Sequence, residues 1–235
     1  MIGKLVGSVG IGITGEGGTG TLYIDTDDDN YGIGENLTFH ADAEDNIALG
    51  ENALNSTTGD ADFNIGIGTN ALTALEGGDK NIAIGYNALL GNTTGERNLA
   101  IGYGAMDGSG GATVLDSDDN VFIGYNTGGG TWTTTKSEFN IGIGNHVMDA
   151  AMNGATYNIG IGNTALGSLT TGDENVALGS AAMFSTTTGI KNTALGYGAL
   201  SEVIDGNYNT AVGHGAMDDW SGSTVAASAY NTALG

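Results

Sequence analysis

Proline is absent from the 235 residues, and so is cysteine. A strand with neighbours on both sides uses every backbone N–H, which proline cannot supply, so the first absence fits a sheet without interruptions. The second removes any disulfide framework and any thiolate metal site. Positive charge is nearly missing as well: 5 Lys and Arg stand against 27 Asp and Glu, a formal net charge of -22. Counterion release from a phosphate backbone cannot drive binding by such a chain, which argues against nucleic acid as a partner. No apolar run approaches a membrane span, and the opening MIGKLVGSVGIGITG is broken by glycine too often for a secretory core. Neither membrane insertion nor a signal peptide is expected in this stretch.

What the chain has instead is 44 glycines and an aliphatic-rich 40% of hydrophobic residues. Collagen is excluded because the glycines do not recur every third residue, and the hydrophobic content argues against simple disorder. The glycines belong to a short repeat. Asparagine followed by aliphatic-Gly recurs twelve times, starting at Asn30, Asn46, Asn64, Asn81, Asn98, Asn120, Asn140, Asn158, Asn175, Asn192, Asn209 and Asn231. Successive starts are 16 to 22 residues apart, most often 17, a period that means a solenoid.

The third residue after each asparagine is always aliphatic: Ile33, Leu49, Ile67, Ile84, Ile101, Ile123, Ile143, Ile161, Leu178, Leu195, Val212 and Leu234. The first is mostly aliphatic too, and the second is small except at Phe122. This alternation is the period of a β-strand, and the aliphatics at the first and third positions are expected to face inward as the core. Glycine at the fourth position, from Gly34 to Gly235, marks a corner, and Ala-Leu or Ala-Met beyond it (Ala53-Leu54, Ala105-Met106, Ala199-Leu200) supplies a second inward pair. The asparagines serve either as turn formers or as a side-chain amide ladder between coils. Eleven steps at about 4.8 Å give a rod of roughly 50 Å. The expected fold is therefore all-β, a parallel β-solenoid with one coil per 17-residue repeat over residues 30–235. Residues 1–29, outside the repeat, are expected to form an attachment or capping segment.

The motif Asn-x-Ala-Ile-Gly-x-x-Ala, at Asn81 to Ala88 and Asn98 to Ala105, resembles the head repeats of the YadA-like trimeric autotransporter adhesins. The variant with Asn-Thr-Thr-Gly returns, as at Asn92 to Gly95, is similar to repeats of bacteriophage tail fibres. The resemblance implies a left-handed β-roll, a homotrimer of parallel chains, and a binding surface held away from a virion or cell. Coils of 17 residues are longer than the usual adhesin head coil, and the missing export and anchor signals favour the phage fibre. The small second-position residues Gly66, Ala83, Ala100 and Gly160 are expected to let subunits approach closely.

The leading functional expectation is thus a structural and adhesive fibre segment of a virion, with a host receptor or glycan as target and other virion proteins bound through residues 1–29. A bacterial surface adhesin head is the alternative, and an extracellular surface the alternative location. A depolymerising tailspike ranks lower but stays open, because paired carboxylates on stacked coils can be about 5 to 9 Å apart, and an ice-binding solenoid ranks lower because the Thr pairs skip coils. No enzymatic motif and no cofactor is read: Gly10 to Gly15 has dinucleotide-loop spacing but no helix pattern after it. Asp25, Asp27 and Asp29, echoed by Asp116, Asp118 and Asn120, have calcium-loop spacing without the closing glutamate, so solvated surface carboxylates compete with a calcium site there. Tyr86, Tyr103 and Tyr125 recur at one place in three coils and are expected to stack, as packing or as a platform for sugar rings. Four long returns, 107–119, 127–139, 149–157 and 218–230, are the expected contact loops, and two of them carry the tryptophans, Trp132 and Trp220, as binding candidates.

Overall fold

A computed structural model of the chain describes residues 46–57, 61–108, 117–132, 135–218 and 229–235. These form a β-solenoid. Eleven strands of three residues each follow in order: β1 Ile47–Leu49, β2 Ile65–Ile67, β3 Ile82–Ile84, β4 Leu99–Ile101, β5 Val121–Ile123, β6 Ile141–Ile143, β7 Ile159–Ile161, β8 Val176–Leu178, β9 Thr193–Leu195, β10 Thr210–Val212 and β11 Thr232–Leu234. All pair in parallel, each with the next in the chain, so that each repeat is one coil. Register is residue on equivalent residue, as in Ala83 against Ala100 and Ile84 against Ile101. Ten intervals at about 4.8 Å make a sheet about 48 Å long.

Alternation along the strands is present, but in the opposite phase to the one expected. The second residue, small everywhere but at Phe122, is buried in β1 to β10, and the first and third are half-buried or exposed. The column Leu49, Ile67, Ile84, Ile101, Ile123, Ile143, Ile161, Leu178, Leu195, Val212 and Leu234 lies on the outside of the coil; Ile143 is 37% exposed. Ile33 lies outside the described residues. The physical reason is the width of the coil. Opposite each strand, the residue four after the corner glycine fills the interior: Leu54, Leu72, Leu89, Met106, Met148, Leu166, Met183 and Leu200 are all buried. A large side chain at that position leaves room for only Ala or Gly on the strand side facing it. A shift of one residue turns every strand side chain to the other face. The small residues therefore line the coil's own interior and are not available for contact between subunits.

The coil that starts at Asn120, named like the others by its asparagine, tests this account, since it reverses the sizes. Phe122 occupies the strand position, fully buried, and the opposite position is Gly128. A Cβ on Gly128 would lie 3.0 Å from the Phe122 ring, and Gly142 in the next coil is likewise without room for one. Volume is conserved across the coil and between coils, as close packing demands.

The repeat asparagines form a ladder and also stabilise the turn. Ten of them, Asn46 to Asn209, are buried. Each Oδ1 accepts the backbone N–H of the next asparagine up the stack, at 2.6 to 3.1 Å. From Asn81 to Asn231 the next Nδ2 donates to the same oxygen as well. Most Nδ2 groups also donate to a return carbonyl, as Asn81 does to Gly95 and Asn98 to Ser117. Hydrogen bonds to all its groups offset the desolvation cost of a buried amide, which an unengaged one would bear in full. The corner glycines hold φ between 126° and 143°. At Gly102 that conformation coincides with a Cβ position pressed onto the carbonyl of Gly124, so no other residue fits there.

Candidate interaction surface

Because the first and third strand residues point out, the eleven strands present two aliphatic columns side by side. All 22 outward positions are Ile, Leu, Val or Thr, with Thr only at Thr193, Thr210 and Thr232. None is charged, on a chain whose net charge is -22. Neighbours within a column shield one another to half-burial, yet Ile47, Ile143, Ile161, Leu178 and Leu234 remain exposed.

Two further columns flank this face at the ends of the strands. On the leading side stands the residue before each asparagine: Phe63, Lys80, Arg97, Asp119, Phe139, Tyr157, Glu174, Lys191, Tyr208 and Tyr230, all with φ between 55° and 65°. Three of the protein's five cations belong to this column. Its members interlock along the stack. Lys80 lies 5.9 Å over the Phe63 ring, Arg97 Nε donates to Asp119 Oδ1 at 2.7 Å and Arg97 also pairs with Glu96. Phe139 stacks on Tyr157 and Tyr208 on Tyr230. The hydrogen bond from Arg97 holds the Asp119 carboxyl below its ordinary range.

On the trailing side, after the corner glycine, Tyr86, Tyr103 and Tyr125 stack as expected, with centroids 5.0 and 5.3 Å apart and planes inclined by 17°. His146 meets Tyr125 edge-on, and Tyr197 stacks on His214. A spacing of about 5 Å leaves no gap for a sugar ring between tyrosines, so what the column offers is ring edges and hydroxyls.

Trp132 is not a surface residue. It is 1% exposed, its Nε1 donates to the carbonyl of Gly128 at 3.0 Å, and its ring meets Phe122 edge-on at 5.8 Å. The enlarged return of that coil brings the indole back into the interior, where Leu75 and Leu169 stand in other coils. Glycine at 128 vacates space that the two rings share, so the tryptophan serves the core. Trp220 lies outside the described residues, as do residues 1–29 with Asp25, Asp27 and Asp29, Asp116, and most of the returns 107–119 and 218–230.

Asp118 is described, and its surroundings are cationic: Lys136 Nζ lies 3.5 Å and Arg97 4.0 Å from Oδ2, while Oδ1 accepts the Glu96 N–H. Among the described residues, no group of three or more His, Asp and Glu is disposed to hold a metal ion. One acidic approach stands out. Gly129 sits between Asp107 of the coil below and Asp149 of the coil above; a Cβ there would be 3.3 and 3.0 Å from their oxygens. Burial raises the Asp107 carboxyl above its ordinary range and the charge of Asp149 adds to it, against a hydrogen bond from the Gly108 backbone. Asp149 is also bonded to His146 Nδ1 at 2.7 Å.

The fold and these columns define a β-solenoid repeat protein. No family model, no curated protein and no solved structure matches the chain.

The outward strand face was the surface that sequence reasoning missed. Its signal was available in the small second column, because a narrow coil filled from one side accepts only Ala or Gly on the other.

Proposed function

We propose that the chain is a structural and adhesive fibre segment, a tail fibre or similar virion appendage, working as a homotrimer of parallel chains joined at their strand faces. One observation carries the reading: a continuous, uncharged aliphatic face about 48 Å long on an otherwise strongly acidic rod. Exposed apolar patches of this extent mark interaction sites, since leaving them in water costs what burying them gains. Identical copies of an acidic chain repel each other everywhere except on such a face. Burying it between parallel copies yields a stiff rod whose outer loops remain open for attachment to a host surface. This interface rests on the outward aliphatics, a different basis from the small second-position residues.

The test is Ile143→Glu together with Ile101→Glu. Both side chains lie outside the coil, so circular dichroism should keep its β signature. Light scattering should fall from three chain masses to one, and binding of labelled protein to bacterial cells should fall with it. Wild-type protein that is monomeric at micromolar concentration refutes the trimer, and trimeric protein that binds no cell in a broad strain panel refutes the adhesive part.

A further inference from the structure

We infer that the two flanking columns are halves of one seam: in register, the leading residue of each coil packs against the trailing residue of the same coil in the next copy. The inference rests on the homo-oligomer reading and deepens it by naming the residues, direction and register of contact.

Compare the two columns level by level. Where the leading residue is charged, the trailing one is tyrosine: Lys80 with Tyr86, Arg97 with Tyr103, Asp119 with Tyr125, Lys191 with Tyr197. Where the leading residue is aromatic, the trailing one is small and polar: Phe63 with Thr69, Phe139 with Asn145, Tyr157 with Asn163. Seven levels thus carry one ring each. Coil 175 departs with Glu174 and Ser180, and coil 209 with Tyr208 and His214.

This pairing cannot serve the chain internally. The two residues of a level lie at opposite ends of a strand, six positions apart, a span of up to about 20 Å when extended. It does serve two copies side by side. A cyclic, parallel arrangement puts the leading edge of one against the trailing edge of the next. Lys80, Arg97 and Lys191 then meet tyrosine rings, a cation–π arrangement. Asp119 meets a tyrosine hydroxyl, for which a carboxylate already bound to Arg97 keeps free lone pairs. Phe139 and Tyr157 meet residues small enough to admit a ring. A slip of one coil instead sets Phe139 against Tyr125, or Phe63 against Tyr86, doubling the rings at one level and emptying another.

A face about 48 Å long and up to about 20 Å wide offers up to about 960 Å² per copy. A cyclic trimer divides it between two neighbours, about 480 Å² to each, and its three contacts together bury up to about 2,900 Å², against about 1,200–2,000 Å² in all for one ordinary stable complex. An aliphatic centre with a rim of aromatic and charged residues follows the apolar-core, polar-rim make-up of a protein interface.

The chain has no cysteine, so single thiols report cleanly. Lys80→Cys and Tyr86→Cys chains are co-expressed, their mass is measured by light scattering, and a short bismaleimide is added. Any linked pair must come from different chains. The expected result is a mass of several chains, strong cross-linking between the thiol at position 80 of one chain and the thiol at position 86 of another, and none when Tyr197→Cys, six coils away, replaces Tyr86→Cys. Several chains without the same-level link, or with the six-coil link instead, overturns the seam and leaves the oligomer standing. A monomer mass overturns both.

Discussion

At the scale of single residues, the asparagine ladder explains why one amide recurs where any turn former would have closed the coil. Asn81 Oδ1 accepts both the N–H and the Nδ2 of Asn98, and its own Nδ2 donates to Asn64 Oδ1 and the Gly95 carbonyl. The site is fully buried. Asn81→Ala leaves the Asn98 N–H without an acceptor in a place water does not reach. The expected cost is about 1–3 kcal/mol, the penalty of an unsatisfied buried group. Denaturant unfolding of the variant beside Asn52→Ala, whose amide bonds to Asn70 on the exposed side, checks it. Equal midpoints for the two would mean the buried ladder contributes nothing special.

At the scale of the coil, the interior is a two-sided arrangement in which one side can be large only if the other is small. Phe122 and Gly128 invert the sizes used elsewhere, and Gly128, at φ 61°, keeps the conformation that Leu89, at φ 50°, holds in an ordinary coil. Phe122→Ala should therefore leave a cavity and cost about 3–5 kcal/mol. Adding Gly128→Leu restores the usual Ala-against-Leu pair, so the double variant should recover a large part of the loss. Thermal melting of the single and double variants decides it. Failure to recover would place the stabilisation in the Phe122–Trp132 contact, which the double variant cannot rebuild.

At the scale of the whole molecule, charge and hydrophobic burial oppose each other. A net charge of -22 acts between copies over a Debye length, about 30 Å at ~0.01 M salt and about 8 Å at ~0.15 M. Salt screens this repulsion while leaving burial of the aliphatic face intact. Association should strengthen on raising salt across that range, with the dissociation midpoint moving to lower protein concentration in sedimentation experiments. Weakening instead would show that the cations of the leading column, Lys80, Arg97 and Lys191, dominate assembly. Each coil contacts only its neighbours, so unfolding is expected to respond locally to substitutions of the kind described above.

The repeat, its period, the corner glycines and the strand alternation were legible in the sequence, because each follows from backbone geometry that recurs at fixed spacing. The stacking of Tyr86, Tyr103 and Tyr125 was legible for the same reason: equal offsets in successive coils put like above like. Which strand face turns inward was not. Alternation defines two faces, and both hydrophobic columns favoured the wrong one; the choice depends on how wide the coil is and what fills it from the far side. Leu89 and its equivalents take that space, which leaves Ala83 inside and Ile82 and Ile84 outside. Trp132 was misplaced for a related reason, since a longer return can fold back as well as project, and only the vacancy at Gly128 decided it. The sequence by itself determined that coils stack, because a lone coil buries too little to fold; the tertiary structure alone decided which aliphatics are left for a partner, because inside and outside are properties of a closed coil.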